Sequence, residues 1–158
     1  MSFLAGTLLV YCSEPNAFIC FSNFVHEKLF IKLFRGYIQD IKLRIDLFDS
    51  YFEEMLPELR QHFLALEIDT AFFLTDWLVT VFVKNVDWKI ACRIWDNFIL
   101  DGEIYAFKTA LAILHYFQSK FVKQCHFQIK EQLSNMRGLI DEHRLFAIIE
   151  EQIVIDED

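Results

Sequence analysis

The sequence predicts an all-α fold, and three observations lead to it. Apolar residues recur every three or four positions along most of the chain, and no segment alternates apolar and polar residues as a half-buried strand would. Only 2 prolines and 4 glycines are present to punctuate turns. We expect roughly eight helices with short connections, no sheet and a single helical domain over residues 1–158.

The composition is that of a folded protein with an unusually apolar chain. Of the 158 residues, 54% are hydrophobic and 16% aromatic, which is far from the composition of a disordered protein. The mean hydropathy of +0.26 implies either unusually extensive burial or a partner surface that normally covers part of the chain. The net charge of −8 disfavours nucleic acids and anionic membranes as partners.

The N-terminal residues 3–11 are apolar enough to resemble the core of a signal peptide. They lack a preceding basic region and a following cleavage site, and they are too few to span a bilayer, so we interpret them as a core helix. A second helix is predicted to begin at Ser13-Glu14-Pro15, because serine is a good N-cap and the next two residues suit a first turn. Its apolar stripe comprises Ala17, Phe18, Phe21, Phe24 and Val25.

Two segments of different length follow. Residues 29–34 are expected to form a short helix or a turn before Gly36, and residues 37–55 a longer helix. The apolar side of the longer helix comprises Ile38, Ile41, Ile45, Phe48, Phe52 and Met55.

Pro57 marks the next boundary. Proline cannot continue a helix but suits the first turn of one, so Pro57 is predicted to end the preceding helix and to open another within residues 56–66. The linker 67–70 then offers Asp69 or Thr70 as the N-cap of the helix that follows.

The segment 71–114 organises the rest of the chain, because it contains three apolar stretches separated only by Lys84-Asn85 and Asp101-Gly102. Its first helix has two adjacent apolar ridges, so it must be surrounded by other elements. The ridges consist of Phe73, Trp77 and Val81 and of Leu74, Leu78 and Phe82.

The second helix of this segment is amphipathic, with Lys89, Arg93 and Asn97 on its polar side. Gly102 supplies the left-handed residue that commonly ends a helix, and a third helix follows it. The apolar positions of the second helix are Trp88, Ile90, Ala91, Ile94, Trp95, Phe98 and Ile99, and those of the third are Phe107, Leu111 and Leu114. The helical pattern continues over residues 115–121, 125–136 and about 141–154.

The sequence contains no phosphate-binding loop, no dinucleotide fingerprint, no nucleophile elbow and no zinc-protease motif. The cysteines at positions 12, 20, 92 and 125 lack metal-site spacing, and the pair Cys125-His126 has no spaced companion ligands. We therefore predict no catalytic, cofactor-binding or metal-binding residues, and a reduced cytosolic setting. Trp77, Trp88 and Trp95 fit the apolar stripes better than they fit an aromatic ligand box. The pairs Glu53-Glu54 and Glu150-Glu151 are expected to lie on solvated helix faces.

The order of residues in 71–114 resembles the C-terminal half of a TBC domain, the Rab GTPase-activating module. The resemblance runs from Met1 to about Leu114 and becomes weaker beyond it. It rests on Trp77-Leu78, Phe82, Arg93-x-Trp95-Asp96, Gly102, Phe107 and the run from Ala110 to Leu114. It implies that Trp77, Phe82, Arg93, Trp95, Asp96 and Gly102 form the structural signature of the family.

The family activates GTP hydrolysis with an arginine in Ile-x-x-Asp-x-x-Arg and a glutamine in Tyr-x-Gln-Gly-Met, and neither full motif occurs in this sequence. Tyr37-Ile-Gln39 and Tyr116-Phe-Gln118 match three letters, but they lie inside predicted helices and lack the Gly-Met that follows in the family. The family glutamine precedes a Met and an apolar helix, which Met1 and the residues after it match. By analogy, Met1 and Ser2 are the residues nearest to a bound GTPase.

Arg93 invites comparison with an arginine finger, which stabilises charge on a transferring phosphate. It lies three residues before Asp96, a spacing that favours a local ion pair on one helix face. We therefore predict a structural role for Arg93.

The resemblance implies a Rab GTPase-activating protein, or a fragment of one, that regulates small GTPases in vesicle trafficking. Without the two finger motifs, this chain is expected to be the scaffold or Rab-binding portion, inactive on its own. The implied partner is a Rab-type GTPase, with self-association through exposed apolar surface as a further expectation, and the implied location is the cytoplasm, free or peripheral to endomembranes. The alternatives are a non-catalytic helical interaction domain and an unrelated helical bundle with a fortuitous Arg-x-Trp-Asp.

Overall fold

The computed structural model describes residues 1–26, 28–35 and 38–155, and all of their regular elements are α-helices. The predicted all-α class is confirmed, with ten helices in this part of the chain where roughly eight were expected. They are α1 (Ser2–Tyr11), α2 (Glu14–His26), α3 (Lys28–Arg35), α4 (Ile38–Met55), α5 (Pro57–Ala65), α6 (Thr70–Thr80), α7 (Trp88–Asp101), α8 (Glu103–Phe121), α9 (His126–Ser134) and α10 (Glu142–Glu151).

Several helices begin at the residues that the sequence indicated. Pro57 opens α5, and the Asp69 carboxylate caps α6 by accepting a hydrogen bond from the amide of Ala71 at 2.9 Å. The segment 29–34, for which a short helix or a turn was predicted, is helical. Tyr37, predicted as the first residue of α4, lies outside the described residues. The starts of α5 and α6 are thus explained by residues next to them in the chain, without any tertiary contact.

The core is built around α6 and α8. The predicted ridge residues of α6 are buried, and α8 is enclosed along most of its length, with Phe107, Leu111 and Leu114 all inside. Aromatic rings from α4, α5 and α6 pack edge to face between them, with the Phe63 and Phe73 ring centroids 6.2 Å apart. The prediction that the first helix of 71–114 is surrounded is therefore confirmed.

The end of α6 differs from the prediction. The helix ends at Thr80, four residues before Lys84, and both Val81 and Phe82 have left-handed backbones with φ of 44° and 61°. Asn85, predicted as part of the polar break between two apolar stretches, is completely buried. Its side-chain Nδ2 donates to Asp76 and to the carbonyl of Ser134, whereas the buried Oδ1 has no hydrogen-bond partner among the described residues.

Three predicted apolar stripes are less buried than expected. In α1 only Leu4 and Thr7 are buried, so the interpretation of α1 as a core helix is wrong. Phe18 in α2 is 72% exposed, and Trp88 and Ile99 in α7 are exposed. The reason is common to all three helices: an apolar stripe wider than the neighbouring elements can cover leaves its edge open to solvent.

Candidate functional site

A shallow groove lies beside the first turns of α1, where the resemblance places Met1 and Ser2. It has a volume of about 280 Å³, and Met1 itself is 52% exposed. Residues of α1 form one wall, and Val83 and Trp88 form the other. The α1 residues in the lining are Ser2, Phe3, Gly6 and Thr7. The groove therefore offers an open, largely apolar surface that includes an exposed aromatic ring.

A polar and aromatic contact fixes the far end of α1 on the first turns of α7. The Trp88 indole N–H donates to the Tyr11 hydroxyl at 3.1 Å, and that hydroxyl lies 2.8 Å from Cys92 Sγ. The rings of Tyr11 and Trp88 are stacked with centroids 5.9 Å apart. The hydrogen bond to Cys92, followed by burial, raises the pKa of Tyr11 above its usual value. This contact thus ties the two walls of the groove together at the C-terminal end of α1.

Two signature residues, Trp77 and Trp95, are buried and each satisfies its indole N–H with a backbone carbonyl. Trp77 donates to Leu133 at 3.2 Å, and Trp95 donates to Val81 at 3.1 Å. Phe82, a third member, is buried beside Trp77 with ring centroids 5.6 Å apart. These three residues all meet at the C-terminal end of α6, next to the groove wall that Val83 provides.

Gly102 joins α7 directly to α8. Its φ of 68° has the positive sign that was expected, but its ψ of −143° differs from the left-handed helical value. This backbone conformation is essentially restricted to glycine, so the signature position is explained by the turn that it makes.

Arg93 reaches across to α10 instead of pairing with Asp96, so the prediction of a local ion pair is wrong. Its guanidinium carbon lies 3.9 Å from the ring centroid of Phe146, and its terminal nitrogens lie 3.6 Å from carboxylates of Glu142 and Glu150. Asp96 is exposed and forms no ion pair within the described residues. The three neighbours come from α10, which sequence spacing within α7 could not reveal.

A second polar cluster lies between α4 and α6, and sequence patterns gave no sign of it. The Asp49 carboxylate accepts hydrogen bonds from Arg60 at 2.7 Å and from Thr70 at 2.6 Å. Arg60 also donates to Thr70 at 3.1 Å. Because these groups satisfy one another, the cluster is a structural network that braces α4 against the start of α6.

The described part of the chain also contains cysteines and other possible metal ligands. All four cysteines are free thiols, and the backbone amide of Cys125 bonds to Gln128, three residues further along α9. Within residues 1–26, 28–35 and 38–155, no group of three or more His, Cys, Asp or Glu side chains could hold a metal ion. Nor is any helix in those ranges long and apolar enough to cross a membrane.

Comparisons with known proteins agree with the resemblance seen in the sequence. The model of the family described as the Rab-GTPase-TBC domain matches residues 1–122. The chain is 34% identical over 149 residues to TBC1 domain family member 14 of Homo sapiens. It is 33% identical over 149 residues to TBC1 domain family member 12 of Xenopus tropicalis. Each of these alignments covers 94% of this chain and 22% of the relative.

A third relative, Drainin of Dictyostelium discoideum, is 32% identical over 158 residues, which is 99% of this chain and 36% of that protein. The chain thus spans between about a fifth and about a third of the length of these curated relatives. The family match extends beyond Leu114 to residue 122 and so includes all of α1 to α8.

Proposed function

The chain belongs to the Rab-GTPase-TBC domain family, and from this membership we propose that it is the C-terminal part of a module that engages a Rab-type small GTPase in vesicle trafficking. The observation that carries the proposal is the family match over residues 1–122, which takes in both walls of the groove beside α1. Residues 1–158 form one helical domain in this proposal, because buried side chains from Leu4 to Ile155 belong to one cluster.

The groove beside α1 is the surface that faces the GTPase in this proposal. Met1 and Ser2 stand at its start, and exposed aromatic rings such as Trp88 are the side chains that most often anchor protein interfaces. Five of the six signature residues, all but Asp96, hold the elements that form or adjoin the groove. Trp77, Phe82 and Trp95 hold the end of α6, Arg93 holds α10, and Gly102 makes the turn into α8.

We also propose that the chain on its own binds the GTPase without accelerating GTP hydrolysis. Catalysis requires an oriented water and stabilisation of charge on the phosphates, and the sequence contains neither finger motif of the family. Arg93 is engaged by three groups of α10. Surface contacts that do not distinguish ground state from transition state give affinity without raising the rate of the chemical step. A cytoplasmic location, free or peripheral to endomembranes, follows from a small-GTPase partner.

The test is a binding assay of purified residues 1–158 against a panel of Rab GTPases loaded with a non-hydrolysable GTP analogue. Gly6→Leu is the informative variant, because an added Cβ at Gly6 meets no atom within 4 Å and a leucine there would fill the groove while favouring the helix. Ser119→Leu, at an exposed position of α8, is the matched control. We expect Gly6→Leu to abolish binding of the GTPase and Ser119→Leu to leave it unchanged.

Binding that survives Gly6→Leu unchanged would place the interface elsewhere. If no Rab binds the parent chain, the alternative of a non-catalytic helical interaction domain with another partner is favoured. An exposed apolar surface on α1 and α2, which includes Val10, Phe18 and Ile19, would then be its first candidate surface.

A further inference from the structure

A C-terminal segment outside the family-matched region, residues 134–142, runs along the connection between α6 and α7. That connection consists of residues 81–87 and leads into α7 at Trp88. Val83 in the connection and Trp88 form the groove wall opposite α1. Val81 and Phe82 at its start have positive φ, which L residues adopt only where surrounding structure holds them. The position of the groove wall therefore depends on what holds the connection.

The first contacts of the segment are made by Asn85. The carbonyl of Asn85 accepts a hydrogen bond from the amide of Met136 at 2.8 Å, and its side-chain Nδ2 donates to the carbonyl of Ser134 at 3.1 Å. Both Asn85 and Met136 are completely buried. Because no water can replace these bonds, they pin the middle of the connection to the end of α9.

A second pair of contacts lies on either side of Asn85. The Arg137 guanidinium Nη2 donates to the carbonyl of Val83 at 3.2 Å, and the amide of Gly138 donates to Asp87 Oδ2 at 2.7 Å. Gly138 has φ of 71°, a backbone that aims its amide at Asp87 and that glycine adopts without strain. Val83, a lining residue of the groove, is thus held directly by the segment.

The last contacts are ionic and reach the first turns of α7. Glu142 Oε2 lies 2.8 Å from Lys89 Nζ, and Glu142 Oε1 lies 3.6 Å from Arg93. Lys89 follows Trp88, whose ring lines the groove and stacks on Tyr11. The segment therefore contacts the connection or α7 through five of its residues, which are Ser134, Met136, Arg137, Gly138 and Glu142.

We propose that residues 134–142 form a bracket that sets the position of Val83 and Trp88, and thereby controls whether the groove beside α1 can receive its partner. The inference rests on the proposed function for the identity of that partner, a Rab-type GTPase. The bracket gives the C-terminal helices, which lie beyond residue 122, a regulatory role at a surface built from family-matched residues. Anything that releases the segment, such as a protein bound to α10, would loosen the groove wall.

The test uses Arg137→Ala/Glu142→Gln, which removes the side-chain contacts of the bracket to Val83, Lys89 and Arg93 and leaves its bonds to Asn85 and Asp87 in place. Lys123→Ala/Glu151→Gln is the matched control, because it makes the same charge changes at exposed positions of the same C-terminal region. Amide hydrogen exchange followed by mass spectrometry reports residues 83–88 and α1 separately from residues 134–142. Alkylation of Cys92, which contacts Tyr11, reports the α1–α7 contact independently.

We expect the bracket variant to exchange about tenfold faster at residues 83–88, as the loss of one or two hydrogen bonds predicts, and to alkylate faster at Cys92. Its affinity for the GTPase should fall by a similar factor, while the control matches the parent in every measurement. Faster exchange confined to residues 134–142, with residues 83–88 and Cys92 as in the parent, would overturn the bracket. If the parent binds no Rab but the exchange pattern is as expected, the proposed partner is wrong and the bracket stands.

Discussion

The indole N–H of Trp95 donates a hydrogen bond to the carbonyl of Val81 at 3.1 Å, and Val81 has a left-handed backbone with φ of 44°. A β-branched residue is strongly disfavoured in this region, so the conformation persists only because its surroundings stabilise it. The ring of Phe24 stacks on that of Trp95 with centroids 5.2 Å apart. One signature tryptophan therefore joins α2, α7 and the end of α6.

Substitution of Trp95 should separate the packing of its ring from its hydrogen bond. Trp95→Ala removes a large buried aromatic side chain and is expected to cost about 3–5 kcal/mol in the free energy of unfolding. Trp95→Phe keeps most of the apolar contacts but leaves the Val81 carbonyl unpartnered, which costs about 1–3 kcal/mol. Urea denaturation measures both, with Phe127→Ala at a 71% exposed position as the control. An unchanged midpoint for Trp95→Ala would show that the ring is not part of the core.

Glu67→Gly is expected to stabilise the protein. Glu67 follows the end of α5 with φ of 54°, and the amide of Ile68 bonds back to Phe63 at 2.9 Å, as in a helix end that usually contains glycine. Relief of the left-handed strain should outweigh the greater freedom of glycine in the unfolded chain, for a net gain of about 0.5–1 kcal/mol. The control Glu58→Gly, in the first turn of α5, should destabilise by a similar amount. A loss of stability in Glu67→Gly would contradict the assigned strain.

The helices could be predicted from the sequence because their signals are local. Pro57 and Asp69 act on residues next to them in the chain, and the apolar period of α6 and α8 is visible without any knowledge of neighbours. Exposure could not be predicted in the same way. The stripe that contains Phe18 is as apolar as the stripe that contains Phe107, and only the position of other helices decides which one is covered.

The candidate site was only partly predictable, for a related reason. The resemblance indicated Met1 and Ser2, and the structure shows the groove next to them. The partners of Arg93 could not be predicted, because an ion pair with Asp96 and one with Glu142 are equally compatible with the sequence. Most bracket contacts involve backbone amides and carbonyls, which every residue possesses, so no residue pattern marks them.

His115 should make the protein less stable in mild acid. Burial, followed by the positive charge of Arg144, lowers the pKa of His115 below its usual value, and its Nδ1 has no hydrogen-bond partner. Below the usual histidine pKa of about 6.5 the unfolded chain therefore binds the proton more readily than the folded one. The contribution of neutral His115 to the free energy of unfolding is fully present above that pH and is lost as the pH falls toward the folded-state pKa.

Thermal denaturation between pH 7.5 and pH 5 measures this effect, with His115→Gln as the informative variant and His143→Gln, at an exposed position, as the control. We expect the pH dependence of the melting temperature to be shallower in His115→Gln than in the parent. Equal slopes in the parent and in both variants would show that His115 does not contribute.

The exposed apolar surface of α1 and α2 should promote self-association. Val10 is 64% and Phe18 is 72% exposed, and Glu14 is the only acidic residue in the two helices. Large exposed apolar surfaces in soluble proteins usually mark interaction sites. We expect concentration-dependent light scattering and dye binding in the parent, both reduced in Val10→Glu/Phe18→Glu. Leu100→Glu, at another exposed apolar position, is the control. A parent chain that stays monodisperse and binds no dye would contradict the prediction.

Arg93→Ala is expected to change stability and leave GTP hydrolysis unaffected. Its guanidinium packs on the Phe146 ring, a contact worth about 0.5–2 kcal/mol, and its two long ion pairs at a 41% exposed side chain add little. The variant should therefore unfold at a modestly lower denaturant concentration, and Arg93→Lys, which keeps the charge but not the planar fork, should lie between it and the parent. In a single-turnover assay with GTP-loaded Rabs, the parent and both variants should all match the intrinsic rate of the GTPase, because α10 already engages this arginine. Acceleration of any Rab by the parent that disappears in a folded Arg93→Ala protein would instead make Arg93 a catalytic residue and contradict its structural role.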